Sequence, residues 1–229
     1  MDSASNGIKS QPQPGTGEWD GALQLPTHLG LAAPIEVQFC TRAFPAPPPE
    51  TQPLVQLGLG AMRFDHFLPE IRLKGNAYGG DCGLDTSGGV MQFYSYRDPR
   101  LSETLGVFDA ARDWVVAQHW SEDDLERVLL GDVGDAVPAI RPFEATYFGL
   151  HRFRRGETAD MRAADYHRKL GASPDEVKAV LVDYLDDVWP RATTAVAASR
   201  VALERANAEL QEAGHEPLVI EEMLPDSAT

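Results

Sequence analysis

The chain has little positive charge and no paired histidines. Its 229 residues include 20 Lys and Arg against 35 Asp and Glu, which gives a formal net charge of −15. A surface this acidic repels phosphate backbones and anionic lipid head groups, so we expect neither nucleic acid nor a membrane as a partner. No two of the six histidines lie within four residues of each other. The paired imidazoles of a helical zinc motif are therefore lacking.

Long apolar runs and cysteines are also scarce. No run approaches the roughly 18–20 residues that span a bilayer. The first residues resemble neither a secretory signal nor an Arg-rich transit peptide, so we expect a soluble, unexported polypeptide. Two cysteines, Cys40 and Cys82, cannot form a four-thiolate metal site or a disulfide framework, and each can simply be a small buried hydrophobe.

The overall composition is that of a folded protein. Hydrophobic residues make up 43% of the chain and charged residues 24%, close to the average for globular domains. Residues 1–20 are mostly Ser, Gln, Pro and Gly, with too little apolar surface to offset the entropy of ordering. We therefore predict a disordered lead-in at 1–20 and one folded domain at 21–229.

The first half of the domain shows strand, helix and hairpin patterns. Residues 34–44 predict a strand with three side chains on one face: Ile35, Val37 and Phe39. The proline-rich segment 45–53 predicts an exposed loop. A buried helix follows and is predicted to end near Pro69, with an apolar stripe of Leu54, Leu57, Ala61, Phe64 and Leu68. Residues 76–85 and 89–98 then predict a β-hairpin buried on both faces.

The second half is mainly helical. Asp98 before proline predicts a cap for a helix over 99–117, and Ser121 and Ser173 predict two further helix starts. Two more helices are expected between them, with Gly156 and Gly171 as C-caps, and a strand, a helix and an extended piece follow. This order favours an α+β domain, a mixed and mainly antiparallel sheet with helices packed on one face.

One partial metal motif occurs. His119-Trp-Ser-Glu122 has the first four positions of H-x-x-E-H, but position 123 is Asp, and Ser121 is expected to start a helix between the two side chains. We therefore predict no metal site within the chain.

Four short segments carry a family resemblance. They are Ile-Arg-x-Lys-Gly at 71–75, Ala-Tyr-Gly-Gly at 77–80, Ser-Tyr-Arg-Asp-Pro at 95–99 and Gly-x-Thr-x-x-Met-Arg at 156–162. Over roughly residues 20–224 the chain resembles the C-terminal half of presequence proteases, a branch of the insulinase-like (pitrilysin) zinc metallopeptidases. Asn76 stands where that family usually has Gly, and loop 45–53 differs from the family's usual segment.

The resemblance implies particular roles for two residues. In the family, an Arg and a Tyr before the hairpin reach toward the substrate backbone, and those positions are Arg72 and Tyr78 here. A guanidinium and a phenol suit a peptide carbonyl that gains negative charge. Gly79, with Gly80, would let substrate or a neighbouring strand approach closely. Without the resemblance, Arg72 can merely complement a helix dipole and Tyr78 can merely fill a core.

Another pair of residues, Arg97 and Asp98, lies where the hairpin meets the following helix. A helix cap and a local ion pair explain these two residues better than catalysis does.

The resemblance also implies that zinc binding and peptide holding belong to different halves of the enzyme. In the family the N-terminal half binds zinc through H-x-x-E-H and a distal Glu, and the C-terminal half holds the peptide. We expect a peptide-holding part of a zinc metalloendopeptidase that degrades unstructured peptides, inactive alone, with zinc bound by a region absent from this chain. Its partners would be peptide substrates and an N-terminal metallopeptidase half, in the cytoplasm or an organelle matrix. The alternatives are a non-catalytic structural or interaction subunit and an unrelated acidic binding module.

Overall fold

A computed structural model describes residues 25–86, 88–136 and 141–223, so the predicted lead-in at 1–20 lies outside the described residues. The strands are β1 (His28–Ala32), β2 (Phe39–Pro45), β3 (Gly79–Asp85), β4 (Val90–Tyr96), β5 (Thr193–Ala198) and β6 (Val219–Glu222). The α-helices are α1 (Gln52–Met62), α2 (Leu101–Ala117), α3 (Glu122–Ala136), α4 (Pro142–Arg155), α5 (Ala159–Leu170), α6 (Pro174–Val188) and α7 (Arg200–Glu212). A π-helical segment (Arg63–Lys74) continues α1, and a 3₁₀ turn (Trp189–Arg191) follows α6.

The strands form one mixed sheet in the order β3-β4-β2-β5-β1-β6. The pairs β3-β4, β4-β2 and β2-β5 are antiparallel, whereas β1 is parallel to both β5 and β6. Burial alternates along β2 and β4, as expected when one face of a sheet is covered by helices. The predicted α+β class with a mainly antiparallel sheet is confirmed.

Aromatic rings form the centre of the core between the sheet and the helices. Phe93 on β4 lies 4.9 Å from Phe67, 5.0 Å from Phe44 and 5.9 Å from Phe108, measured between ring centroids. All four rings are almost completely buried. Phe44 meets Phe93 edge to face and the other two pairs are tilted, so these rings stabilise the fold mainly through the apolar area that they bury.

The N-terminal strands differ from the prediction. β1 was not predicted, and β2 begins only at Phe39, so Ile35 and Val37 precede the strand. The buried face of β2 carries Cys40, Arg42 and Phe44 instead of the predicted set. The predicted buried face was wrong because an arginine at position 42 is expected at the surface. In the folded chain its guanidinium bonds to Asp109, and its Nε donates to Thr194 at 3.2 Å.

The helix that follows the proline-rich loop does not end at Pro69. It continues through Pro69 as the π-helical segment, whose hydrogen bonds close at i+5 and therefore shift the buried face. His66, Phe67 and Ile71 point into the core, whereas the predicted core residue Phe64 is 42% exposed. The prediction that the apolar stripe continues to Leu68 was wrong, because it assumed that the α-helical spacing of 3.6 residues per turn holds beyond Met62.

The hairpin and most caps follow the prediction. β3 and β4 pair as expected, although only one face of β4 is fully buried. Ser173 and Ser121 accept hydrogen bonds at the starts of α6 and α3, and Gly156 ends α4 with a left-handed φ of 66°.

The predicted N-cap at Asp98 is wrong, because α2 begins at Leu101, two residues later than expected, and its N-cap is Arg100. The Asp98 carboxylate accepts from the Arg100 N–H at 2.8 Å and from the Thr104 hydroxyl at 2.6 Å. The predicted ion pair with Arg97 is not among the ion pairs that the described residues form.

Candidate functional site

The predicted residues Arg72, Tyr78 and Gly79 line one groove of about 460 Å³. The groove lies between the π-helical segment and the β3-β4 hairpin, and we call it the Tyr78 groove. Its other walls include Arg63, Phe64, Leu68, Asp81, Tyr94 and Tyr96. The tertiary structure therefore brings together the three residues that the sequence analysis predicted to bind substrate.

A tight connection positions Arg72 and Tyr78. Arg72 lies in the last turn of the π-helical segment, beside Ile71, which is buried in the core. Asn76 then takes a φ of 60°, a left-handed conformation that Gly and Asn adopt most readily. This conformation explains why Asn can stand at a position where Gly is usual. Tyr78 follows, and its N–H donates to the Arg97 carbonyl at 3.4 Å.

Both side chains are available to a ligand. Tyr78 is 69% exposed, so the alternative that it fills the core is wrong. Its ring meets the Tyr96 ring edge to face, with centroids 5.6 Å apart. Arg72 is exposed and forms no ion pair with the described residues, although its place in the last turn of a helix also complements the helix dipole. A phenol and a guanidinium therefore present free donors at one groove.

The two glycines have different surroundings. A Cβ on Gly80 would lie 2.5 Å from Ile71 Cγ2, so the close approach of the π-helical segment requires glycine there. A Cβ on Gly79 would meet only Tyr96 Cβ, at 3.8 Å, which is an ordinary contact. Gly80 thus serves packing, and Gly79 leaves open backbone at the groove.

The sequence interpretation missed a polar group in this groove. Asp81 lies 2.9 Å from the Arg63 guanidinium, and the Tyr94 hydroxyl donates to it at 3.5 Å. Burial raises the pKa of Asp81, and the Arg63 charge opposes this shift. The hairpin register pairs Gly79 with Tyr96 and Asp81 with Tyr94. Aligning the two predicted strands in this register would have placed Asp81, Tyr94 and Tyr96 beside Gly79.

Zinc does not fit the part of the chain that the structure covers. Within residues 25–86, 88–136 and 141–223, no group of three or more His, Cys, Asp or Glu side chains is arranged to hold a metal ion. His119 and Glu122 are both exposed and flank the residue that caps α3.

Among the described helices, none combines the length and hydropathy of a membrane span.

Comparison with known proteins identifies the family. A family model described as the PreP C-terminal domain matches residues 59–197, more than half of the chain. The chain belongs to the PreP C-terminal domain family. The family resemblance predicted from the short segments is therefore confirmed.

Curated relatives of this PreP C-terminal domain are named presequence proteases. The mitochondrial presequence protease of Yarrowia lipolytica is 31% identical over 166 residues, which cover 71% of this chain and 16% of that protein. The mouse protein is 31% identical over 71% of this chain and 15% of its own length. The zebrafish protein is 36% identical over 63% of this chain and 14% of its own. The chain thus spans less than a fifth of these relatives.

Solved structures share the fold at low sequence identity. Pitrilysin superposes with a TM-score of 0.55 and 12% identity, covering 85% of this chain and 21% of pitrilysin. A structure titled peptidase M16 inactive domain, from Pseudomonas fluorescens, has a TM-score of 0.55 and 14% identity, covering 76% of this chain and 44% of that one. These similarities establish the M16 peptidase fold for the PreP C-terminal domain.

Proposed function

We propose that this domain holds unstructured peptides in the Tyr78 groove for a metallopeptidase part that lies outside the chain. The observation that carries the proposal is the exposed Arg72 guanidinium and Tyr78 phenol beside the open backbone of Gly79. Family membership supports a role in proteolysis, because the relatives are named proteases.

The chemistry of the groove suits an extended peptide. The Arg72 and Tyr78 side chains donate hydrogen bonds, and the carbonyl groups of an unpaired peptide backbone accept them. The exposed rings of Phe64 and Tyr96 offer apolar surface to peptide side chains. The Arg63-Asp81 ion pair, in which Arg63 is about half exposed, lies in the wall of the same groove.

The rest of the enzyme belongs to the same proposal. Zinc in the complete enzyme would be bound by an N-terminal metallopeptidase half, encoded in the same gene or separately. An organelle matrix is supported by relatives named mitochondrial, and the cytoplasm is the alternative location. The acidic charge of the chain argues against nucleic acid and membrane partners.

Peptide binding tests the proposal directly. Fluorescence anisotropy with a labelled unstructured peptide should show that Arg72→Ala and Tyr78→Phe each raise the dissociation constant about tenfold, the cost of one hydrogen bond to a polar or charged group. Lys74→Ala and Tyr147→Phe are matched controls outside the groove and should bind like wild type. Unchanged binding in both groove variants would remove the proposal.

Turnover provides the second measurement. In the enzyme completed with its catalytic part, the same two groove variants should lower kcat/KM by about tenfold to a thousandfold, with unchanged thermal melts. If the variants lose turnover and also melt at a lower temperature, Arg72 and Tyr78 would be residues that stabilise the fold instead of residues that bind the peptide.

A non-catalytic structural or interaction subunit is the second candidate. It is favoured by the Pseudomonas fluorescens structure, which is titled an inactive domain. This candidate predicts no peptide binding by the groove. The third alternative, an unrelated acidic binding module, is wrong because the chain belongs to the PreP C-terminal domain family.

A further inference from the structure

The backbone beside Tyr78 is unusual on both sides. Among the described residues, the non-glycine residues with a left-handed φ are Asn76, at 60°, and Arg97, at 49°. Asn76 lies two positions before Tyr78, and the Arg97 carbonyl accepts a hydrogen bond from the Tyr78 N–H. Asparagine adopts this conformation readily, whereas a long side chain such as arginine adopts it at a cost in free energy. Backbone strain of this kind is concentrated at functional sites.

The packing of the corner between β4 and α2 does not explain an arginine at position 97. Its guanidinium is exposed and forms no hydrogen bond or ion pair with the described residues. The neighbouring Asp98 is fully buried, and its carboxylate accepts from the Arg100 N–H and the Thr104 hydroxyl instead. Arg97 also lies just before the N-terminal end of α2, where the helix dipole disfavours a cation. The positive charge at position 97 therefore serves something other than the fold.

The region around the Tyr78 groove carries an excess of positive charge, although the net charge of the chain is −15. Two ion pairs of this region cancel their own charges, and they are Arg63-Asp81 and Lys74-Glu70. Arg72 and Arg97 remain, each exposed and without a carboxylate partner among the described residues. Salt screens charges beyond about 8 Å at physiological ionic strength, so a bound ligand meets this local excess more than the net charge.

A free guanidinium matches one chemical group of a peptide best. Its planar fork donates two parallel hydrogen bonds, and a carboxylate accepts both of them with its two oxygens. A backbone carbonyl offers a single oxygen, and a basic side chain is repelled. A peptide presents carboxylates at its C-terminus and on its Asp and Glu side chains.

We propose that Arg97 is a specificity-determining residue of the peptide site and binds a carboxylate of a peptide that lies in the Tyr78 groove. Arg97 directly follows Tyr96, whose side chain lines the groove and whose ring meets that of Tyr78. The exposed Arg72 guanidinium adds to the positive potential at the same groove. This inference rests on the proposed function, because it concerns the peptide held at the same site.

The left-handed φ at Arg97 has a clear consequence in this arrangement. β4 ends at Tyr96, and the chain turns at Arg97 so that Asp98 enters the core while the arginine stays at the surface. Glycine or asparagine would make the same turn with less strain. An arginine at this position therefore favours a function that needs its charge.

Fluorescence anisotropy with matched unstructured peptides tests the preference. The reference peptide contains Asn and Gln but no acidic residue and ends in an amide. A second peptide differs only by a free C-terminal carboxylate, and a third differs only by Asp and Glu in place of Asn and Gln. At least one of these two should bind wild type about tenfold more tightly than the reference, and the difference between them identifies the source of the carboxylate. High salt should reduce the preference, because the arginines are exposed.

Arg97→Asn tests the residue itself. Asparagine tolerates the left-handed φ and lacks the charge, so the melting temperature should not fall. The preference for carboxylate peptides over the reference should drop about tenfold, until the peptides bind alike. Arg154→Gln is the matched control, because Arg154 is another exposed arginine without a partner among the described residues, on α4 and not at the groove. This control should keep the preference of wild type.

The outcomes separate this inference from the proposed function. Wild type that binds all three peptides with equal affinity would overturn the role of Arg97 and leave peptide holding intact. Failure to bind any of them would remove both proposals. A lower melting temperature for Arg97→Asn with an unchanged preference would also overturn the inference, because Arg97 would then stabilise the corner between β4 and α2.

Discussion

At the scale of single residues, His66 is a buried titratable group. Its ring stacks on Trp114 with centroids 5.1 Å apart, and its Nε2 lies 3.2 Å from the Val107 carbonyl oxygen. Burial lowers the pKa of His66, and the hydrogen bond to Val107 only partly opposes the shift.

The lowered pKa predicts a stability change with pH. As pH falls through the unfolded-state pKa of about 6.5, the unfolded chain takes up a proton that the folded ring resists, so acid favours unfolding. The melting temperature should therefore fall between about pH 7.5 and about pH 5.5 by more in wild type than in His66→Phe, which keeps a ring but cannot titrate. Parallel pH profiles for the two proteins would contradict this assignment.

Both cysteine thiols are predicted to be unreactive in the folded chain. Burial raises the pKa of Cys40 to about 12 and also raises the pKa of Cys82, whose Sγ donates to the Leu59 carbonyl. Little reactive thiolate is then present near neutral pH. A thiol reagent should label neither cysteine in native buffer and both in denaturant, and rapid native labelling would show that the thiols are accessible.

At the scale of elements, the π-helical segment packs closely on β3. Gly80→Ala would place a methyl group against Ile71, and we expect a loss of about 1–3 kcal/mol in unfolding free energy, typical of overpacking. Gly79→Ala is the matched control, because its methyl group finds ordinary space. Chemical denaturation measures both variants, and equal stability would mean that the segment tolerates displacement.

At the scale of the whole molecule, the described residues provide no zinc ligand set. We therefore expect the isolated chain to hold less than one zinc ion per molecule and to cleave no peptide. Elemental analysis and a peptide cleavage assay check both points. One tightly held zinc per chain, lost on His119→Ala or Glu122→Ala, would indicate a self-contained metal site.

Contiguous features were predictable from the sequence. The β3-β4 hairpin and the caps at Ser121 and Ser173 depend on residues a few positions apart, and local chemistry decides them. The family was predictable for the same reason, because its segments at 71–80 and 95–99 are unbroken in the chain. The roles of Arg72 and Tyr78 came from that resemblance and stay predictions.

Only the tertiary structure decided which faces are buried and which residues meet. β1 pairs with β5 and β6, both more than 150 positions away, so its short sequence carried no signal of its own. Arg42 is buried because Thr194 and Asp109 provide hydrogen bonds at distant positions. The Arg63-Asp81 pair in the Tyr78 groove likewise needs the π-helical turn to bring Arg63 over β3. Burial of a polar group depends on partners that only the folded chain brings within hydrogen-bond distance.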